Sequence, residues 1–518
     1  MNRLVVVSNR VPLPSAGLKA GGLTVALDGL MEKRGGLWFG WSGRIAPAAA
    51  PGSVPAALAA VEQADMVDYA TIDLNQEEHD RYYNNFSNGV LWPLLHTMPE
   101  LMKFDRKDAR VYREVNTRIA ASLQPLLRPS DLIWIHDYHL MPLAASLRAR
   151  GVKNPIGFFL HIPFAAPDVL GAAPEVAALV RDLLAADLLG FQTDNDMANF
   201  AAAAHGFAGA TRLPGGALQF GGRRIKLGVF PVEIEAGSSA RTAARMVRSA
   251  GAERLRRSLD GQKLILGIDR LDPTKGLMQR LEGFRCLLEK REDLRRQVTM
   301  LQIAAESRTD VASYRNLRAA LDAEAGSLNA DLGEPDWQPL RVVGRATDRA
   351  AVAGFMRMAR VGLVTPLRDG MNLVAKEYVA AQDPDDPGVL VLSRFAGAAR
   401  QLGEALLVNP HDPDAMADAM DTALRMDITE RRERWRALWK AIEHRTPVLW
   451  GRSFVAALMR TTLQPARTTV RAVPAYAMPE QVAVVPATPS PVGSPRLTLV
   501  ENVGLDHVER EAGTRRLN

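Results

Sequence analysis

Short apolar runs rich in β-branched residues alternate along the chain with longer segments whose apolar positions recur at helical spacing. The runs are Leu4–Val7, Leu132–Ile135, Ile156–Leu160, Leu188–Gln192, Leu264–Ile268, Val298–Ile303, Val361–Val364 and Val389–Leu392. Nearly continuous apolar strands separated by helices predict parallel sheet covered on both faces, an α/β, doubly wound architecture. The strands fall into two groups. A run ending at Gly228–Ile234 closes the first, and the Gly/Ser/Ala-rich stretch Ala236–Ala240 leads into an Arg-rich helical pattern from Arg241. Residues 1–233 and 240–455 are therefore expected to form two Rossmann-like domains facing a central cleft, with ligands at the carboxyl ends of the strands. Beyond them Pro465, Pro474, Pro479, Pro486, Pro489, Pro491 and Pro495 interrupt any regular element. Residues 456–518 are expected to be a Pro-rich flexible tail.

Composition narrows the class of partner. The chain has 518 residues, with 64 Lys+Arg against 58 Asp+Glu, so the net charge is 64 − 58 = +6. The basic residues are scattered in short clusters such as Arg254, Arg256 and Arg257, broken by Leu or Glu. That pattern describes solvated helix faces better than a phosphate-backbone track, and no nucleic-acid partner is expected. Met1-Asn2-Arg3-Leu4 runs straight into the first strand without a signal-peptide pattern. No apolar stretch approaches the roughly 18 residues of a membrane span, so a cytoplasmic protein is expected. The single cysteine, Cys286, excludes a disulfide scaffold.

The chemistry sits where the strands stop. No G-x-G-x-x-G follows the first strand and no P-loop motif occurs, which removes the NAD-type and P-loop phosphate cradles. Two D-x-D triplets, Asp383-Pro384-Asp385 and Asp412-Pro413-Asp414, lie among prolines after helices and are read as turns, so no metal is expected. Arg10 closes the first strand, where a guanidinium can fork onto phosphate oxygens, and Gly21-Gly22 open a helix whose N–H groups suit an anion. The stretch Tyr83–Pro93, with its Asn cluster and Trp92, reads as a turn-rich sugar-binding segment, aromatics stacking and amides reading hydroxyls. His136-Asp137 and His161 end successive strands and should project a carboxylate and an imidazole into the cleft. Arg270 and Lys275 flank a Pro-containing turn and can converge on a diphosphate. After Val361–Val364, Asp369 can accept from sugar hydroxyls and Glu377 from both hydroxyls of a ribose.

On these residues the chain resembles the trehalose-6-phosphate synthases, retaining glycosyltransferases of family 20 with the two-Rossmann GT-B fold. Val5–Arg10, Gly35–Gly43, Leu132–Leu140, Ile268–Gly276 and Thr365–Ala381 carry the match, which runs from about residue 1 to 455 in the expected order. The resemblance implies glucose transfer from UDP-glucose to glucose 6-phosphate, giving α,α-trehalose 6-phosphate and UDP, without a cofactor, in trehalose biosynthesis and stress protection. It implies Arg10, Tyr83, Asp137 and Arg308 as acceptor-binding residues. Gly21, Gly22, Arg270, Lys275, Thr347, Asp369, Leu373, Val374, Ala375, Lys376 and Glu377 are the implied donor-binding set, with Trp92 and Ile162 selecting the anomer. His161, Asp137, Arg270, Lys275 and Asp369 are the implied catalytic residues, His161 lying over the transferred glucose. Pro273-Thr274 stands where relatives usually have an aromatic, and Gly344–Thr347 matches poorly. UDP-glucose is thus the favoured donor while ADP- and GDP-glucose stay open. A phosphorylated acceptor such as glycerol 3-phosphate, or a catalytically silent sugar-phosphate sensor, is the alternative. No D-x-D-x-T motif occurs, so a separate phosphatase is expected to act on the product. A homo-oligomer is left open.

Overall fold

The structure is a computed structural model; it describes residues 2–14, 22–47, 60–308 and 310–462. The first half carries β1 (Leu4–Arg10), β2 (Gly36–Ile45), β3 (Ala60–Ala64), β4 (Val67–Leu74), β5 (Leu132–His136), β6 (Ile156–Phe159), β7 (Leu188–Phe191), β8 (Thr211–Arg212), β9 (Leu218–Phe220) and β10 (Arg223–Val229). Among the described residues they form one sheet in the order β3-β4-β2-β1-β5-β6-β7-β10-β9-β8. From β4 to β10 every pairing is parallel, and β3, β9 and β8 add antiparallel edges. The second half contributes β11 (Lys263–Arg270), β12 (Val298–Ala305), β13 (Leu340–Val343), β14 (Val361–Val364), β15 (Val389–Ser393) and β16 (Leu406–Val408). Their sheet, β13-β12-β11-β14-β15-β16, is parallel throughout.

The continuous apolar character of these strands has a direct cause. In β1, Val5 and Val7 face a core shared with the Arg106–Leu123 helix, while Leu4 and Val6 face a second core containing Trp38, Trp134, Trp450 and Phe454. β11 is divided in the same way, Ile265 to one side and Leu264 and Leu266 to the other. With both faces buried, alternation disappears and only the length of the run marks a strand.

Each sheet starts in its middle. The chain runs from β1 to β2 on one side and later to β5 on the other, and in the second sheet from β11 to β12 and later to β14. The crevice at such a switch point lies at the carboxyl ends of the central strands. Arg10, His136 and Arg270 stand at those ends.

Two segments differ from expectation. Tyr83–Pro93 is helical rather than turn-rich: His79–Leu91 winds as a π-helix that runs into the short helix Trp92–Leu95. Asn and Gly weaken the narrower α-helical winding, and buried side chains serve the wider turns, Ser87 Oγ donating to the Tyr82 carbonyl at 2.7 Å. The expected tail also begins later than residue 456. Pro447–Thr462 is a helix, with Trp450, Phe454 and Leu458 on one face packed against the first sheet. The Phe454 ring lies over Gly157 and Gly190 and within 4.4 Å, centroid to centroid, of Trp134. No proline enters before Pro465, so nothing breaks the helix earlier. The remainder of the expected tail, from residue 463, lies outside the described residues. The D-x-D triplets are a turn and a cap: Asp383 accepts from the Asp385 N–H, and Asp412 from the Ala415 N–H at the start of Pro413–Arg425.

Candidate active site

On the first domain's side of the cleft the floor is aromatic. Arg10 reaches over the Trp41 ring, 5.9 Å from its centroid, and its guanidinium lies against Gly43. Gly43 has φ +88°, and a β-carbon there would stand 2.6 Å from an Arg10 nitrogen, so the position requires glycine. Tyr83 packs on Trp41 and lies nearly parallel to His139 at 5.8 Å. The π-helix thus delivers Tyr83 to the cleft.

Asp137 and His161, expected at successive strand ends, are in direct contact. Asp137 has φ 74°, a turn that lets its Oδ1 accept from the His161 N–H at 3.1 Å. Burial pushes its carboxyl up to about 6, against the opposing pull of the His161 and Tyr138 N–H groups and of Arg308. The His161 ring, lowered to about 3 by burial, meets His136 at 3.0 Å, Nε2 to Nδ1. Both imidazoles are neutral at physiological pH.

The second domain supplies the facing wall. Lys275 Nζ lies 2.5 Å from Asp369 Oδ2, and the Asn372 amide donates to the same oxygen at 3.0 Å. Asn372 adopts φ 73° and its Oδ1 accepts from the Ala375 N–H, capping the helix Leu373–Ala381. Leu373 and Val374 are the first residues of that helix, so their N–H groups have no partner within it and suit an anion. Ala375 and Lys376, also expected in the donor set, have partners within the protein. The Ala375 N–H is taken by the cap. The Lys376 side chain is fully buried away from the cleft, its Nζ 2.6 Å from Glu233 and 2.7 Å from the Val232 carbonyl. Glu377 is ion-paired with Arg349 and borders a cavity of about 510 Å³, shared with Leu373, Asp348 and Glu235. Thr347 is half-buried on the loop leading to Asp348, which caps the helix Arg349–Met358. Gly22 is the first residue of the helix Gly22–Arg34, and Gly21 lies outside the described residues.

The two walls meet at Trp92 and Gly370. A β-carbon on Gly370 would fall 2.1 Å from the His161 carbonyl oxygen and 2.9 Å from Ile162 Cα, so the loop between β14 and the helix Leu373–Ala381 abuts the first domain's strand end. Trp92 is buried between two cations, Arg308 at 4.1 Å and Arg270 at 5.6 Å from its ring centroid. Its Nε1 donates to Asp272 Oδ1 at 3.2 Å.

Asp272, Tyr314, Trp41 and Asn372 complete the site and were not among the candidates. Asp272 is fully buried and accepts from the Thr274 N–H and hydroxyl and from Tyr314 Oη, with Arg270 at 3.5 Å and Arg308 at 3.6 Å. Burial alone would raise its carboxyl, but Arg270, Arg308 and Lys275 outweigh that and hold it below the usual carboxylate range. The one signal for Asp272 was Asp before Pro in a turn, a helix-cap pattern that says nothing of Trp92 or Tyr314.

Two parallel-sheet domains with cations and helix N–H groups converging on one cleft, and an aromatic, amide-rich pocket opposite, define a GT-B glycosyltransferase. The glycosyltransferase family 20 model matches residues 4–460. Trehalose-6-phosphate synthase of Sinorhizobium fredii is 46% identical over 458 residues, covering 88% of this chain and 98% of its own. The α,α-trehalose-phosphate synthase (UDP-forming) of Burkholderia xenovorans, solved in complex with glucose-6-phosphate, superposes with a TM-score of 0.84 at 43% identity, covering 88% of this chain and all of that one. An E. coli structure bound with UDP-2-fluoro glucose gives 0.83 at 42% identity over 88% of this chain and 99% of that one. The chain belongs to glycosyltransferase family 20. Among the described residues no helix is long and apolar enough to cross a membrane.

Proposed function

We propose that the protein transfers glucose from UDP-glucose to the anomeric hydroxyl of glucose 6-phosphate with retention, releasing UDP and α,α-trehalose 6-phosphate. The observation that carries this reading is the gathering of two cation sets around one cleft, Arg270 and Lys275 beside Trp92 and Asp369, and Arg308 over Trp92 with Arg10 over Trp41 on the facing domain. Two phosphorylated sugars placed against those sets would bring their anomeric centres together beside Asp137, His161 and Asp369.

The chemistry follows from the groups available. A double-displacement route needs a free carboxylate nucleophile with an acid/base partner about 5 Å away. Asp369 is instead held by Lys275 and Asn372, and Asp137 by backbone N–H groups. The leaving diphosphate needs no protonation; Arg270, Lys275 and the Leu373 and Val374 N–H groups stabilise it as it departs. The acceptor hydroxyl then attacks from the face the diphosphate leaves. The C–O bond to the diphosphate breaks, the new glycosidic bond forms, and a departing phosphate oxygen takes the hydroxyl proton. Asp137 orients the acceptor, and the neutral His161 hydrogen-bonds the transferred sugar. The product retains its phosphate, so a separate phosphatase consumes it, and the reaction belongs where nucleotide sugars are made, in the cytoplasm.

The test is nucleotide release with UDP-, ADP- and GDP-glucose against glucose 6-phosphate and glucose, with product configuration read by NMR. UDP-glucose with glucose 6-phosphate should be the best pair and the product α,α-linked. Equal use of unphosphorylated glucose would remove the acceptor-phosphate assignment, and a β-linked product would remove retention.

A further inference from the structure

Asp272 lies between Arg270 and Lys275 and touches groups read as serving each substrate. Its Oδ1 accepts from the Trp92 indole, whose ring carries the two guanidiniums, and from Thr274 in the turn that leads to Lys275. Its Oδ2 accepts from Tyr314 Oη at 3.1 Å, which in turn accepts from Arg308 at 2.5 Å. Arg270 and Arg308 both approach that oxygen, at 3.5 and 3.6 Å. Arg308 is further held by the Tyr138 hydroxyl, itself donating to Asn88 on the π-helix. One buried carboxylate therefore fixes an aromatic platform and two cations contributed from sequence positions 92, 270 and 308.

We propose that Asp272 is a positioning residue that couples the two substrate sites, so that filling the nucleotide side pre-orders the phosphate-binding Arg308 and tightens acceptor binding. Three cations gathered around a cleft repel one another and would scatter in its absence. With Asp272 in place the Trp92 ring, the Tyr314 hydroxyl and the two guanidiniums share one arrangement. A diphosphate that draws on Arg270 leaves Asp272 bearing mainly on Arg308 and Tyr314, and the ordering of the platform is then already complete when the second substrate arrives. Coupling of this kind, through groups ordered by the first ligand, is cooperative without a large movement. The inference rests on the reading of Arg270 as a donor residue and Arg308 as an acceptor residue.

The test is the dissociation constant of glucose 6-phosphate, measured calorimetrically with and without saturating UDP, in wild type, Asp272→Asn and Tyr314→Phe. Asparagine keeps the size of the side chain and an oxygen for Thr274 but loses the charge, and phenylalanine keeps the ring but cuts the link to Arg308. In wild type UDP should tighten glucose 6-phosphate by about fivefold or more. That factor should fall to near one in Asp272→Asn and by at least half in Tyr314→Phe, among variants that remain folded at the temperature of the titration. A merely structural role would lower the midpoint and leave the factor intact, and that result overturns the proposal. So does a wild-type factor of one. If Asp272→Asn does not fold, Tyr314→Phe decides on the same readout. Failure of wild type to bind either ligand would instead sink the functional reading beneath it.

Discussion

Asp137 sets stability against function. Its carboxyl is raised to about 6 by burial, above the ordinary value of 3.8, so the folded protein holds a proton in a window where the unfolded chain has lost it. Stability contributed by this group therefore falls as pH rises from about 4 to 6 and stays reduced above. Asp137→Asn keeps the acceptor for the His161 N–H and removes the buried charge. At pH 8 the variant should gain about 1–3 kcal/mol in urea unfolding. It should also lose at least about tenfold in kcat/KM, because a charged acceptor for the sugar hydroxyl is gone. Equal or lower stability would contradict a burial penalty at this site. Activity in wild type should decline below about pH 6; since the acceptor phosphate also titrates near 6, the comparison with the Asn variant isolates the Asp137 share. His161, neutral down to about pH 3, takes no part in that decline. The cations carry the larger single effects: Arg270→Ala and Lys275→Ala should each lower kcat/KM for UDP-glucose by roughly 10- to 150-fold, as loss of about 1.5–3 kcal/mol per charged hydrogen bond implies. Arg10→Ala and Arg308→Ala should act mainly on the acceptor KM, and steady-state kinetics with each substrate varied in turn separates the two patterns. Arg308 followed only from the family resemblance, whereas Asp137, His161, Arg10, Arg270 and Lys275 were readable because each stands at or just beyond the stop of an apolar run. Asp272 was not, because its role depends on a tryptophan 180 residues earlier and a tyrosine 42 residues later, and no local pattern records that burial.

Elements differ in how plainly they are written. β5, β6 and β7 are short, buried on both faces and free of polar interruption, so their apolar runs give them away. β2 is buried along its middle but mixes glycine, tryptophan, serine and arginine, and its sequence reads as a motif rather than a strand. The π-helix His79–Leu91 escapes for a different reason: its wider turn shifts the spacing of buried positions away from 3.6, so Tyr82, Phe86, Asn88 and Leu91 do not line up as an α-helical face. The loop between β14 and the helix Leu373–Ala381 was legible as a ligand loop, though not as a contact between domains. Gly370 shows that second role. With a methyl group 2.1 Å from the His161 carbonyl, Gly370→Ala must push the donor loop off the strand end that carries His161 and Ile162. The displacement acts on the distance between donor and acceptor, where about 1 Å can cost two orders of magnitude in rate. Gly370→Ala is expected to lower kcat about 100-fold while leaving UDP binding within a few fold, since Arg270, Lys275 and the Leu373 and Val374 N–H groups belong to the second domain. A kcat near wild type, measured at saturating substrates, would show that the loop yields without moving the reacting centres.

For the molecule as a whole, the question is what keeps two sheets with separate cores at a fixed distance. The chain crosses between them twice, once at Val232–Glu235 after the first sheet and again when the Pro447–Thr462 helix returns to cover it. The first crossing is held by charge. Glu233, almost fully buried, receives Lys376 Nζ at 2.6 Å and the Gln401 amide at 2.9 Å, with Arg445 at 3.6 Å. Lys376 is the neighbour of Glu377 on the donor helix, so the clasp ties that helix to the crossing itself. Removing one partner leaves a buried charge uncompensated, which costs about 3–5 kcal/mol, whereas removing both removes the penalty along with the pair. Lys376→Met should therefore destabilise the protein by about 3 kcal/mol or more, Glu233→Gln should do so to a comparable degree, and the double variant should recover most of the loss. Urea titrations of the three variants measure it, and losses that simply add would show that the pair does not act as a unit. Function should not recover with stability. Without the clasp nothing charged fixes the donor helix to the crossing, and the double variant is expected to keep a raised KM for UDP-glucose although it folds nearly as well as wild type. A wild-type KM in a well-folded double variant would mean that packing of the Pro447–Thr462 helix against the first sheet holds the two walls of the cleft in place without help from the crossing.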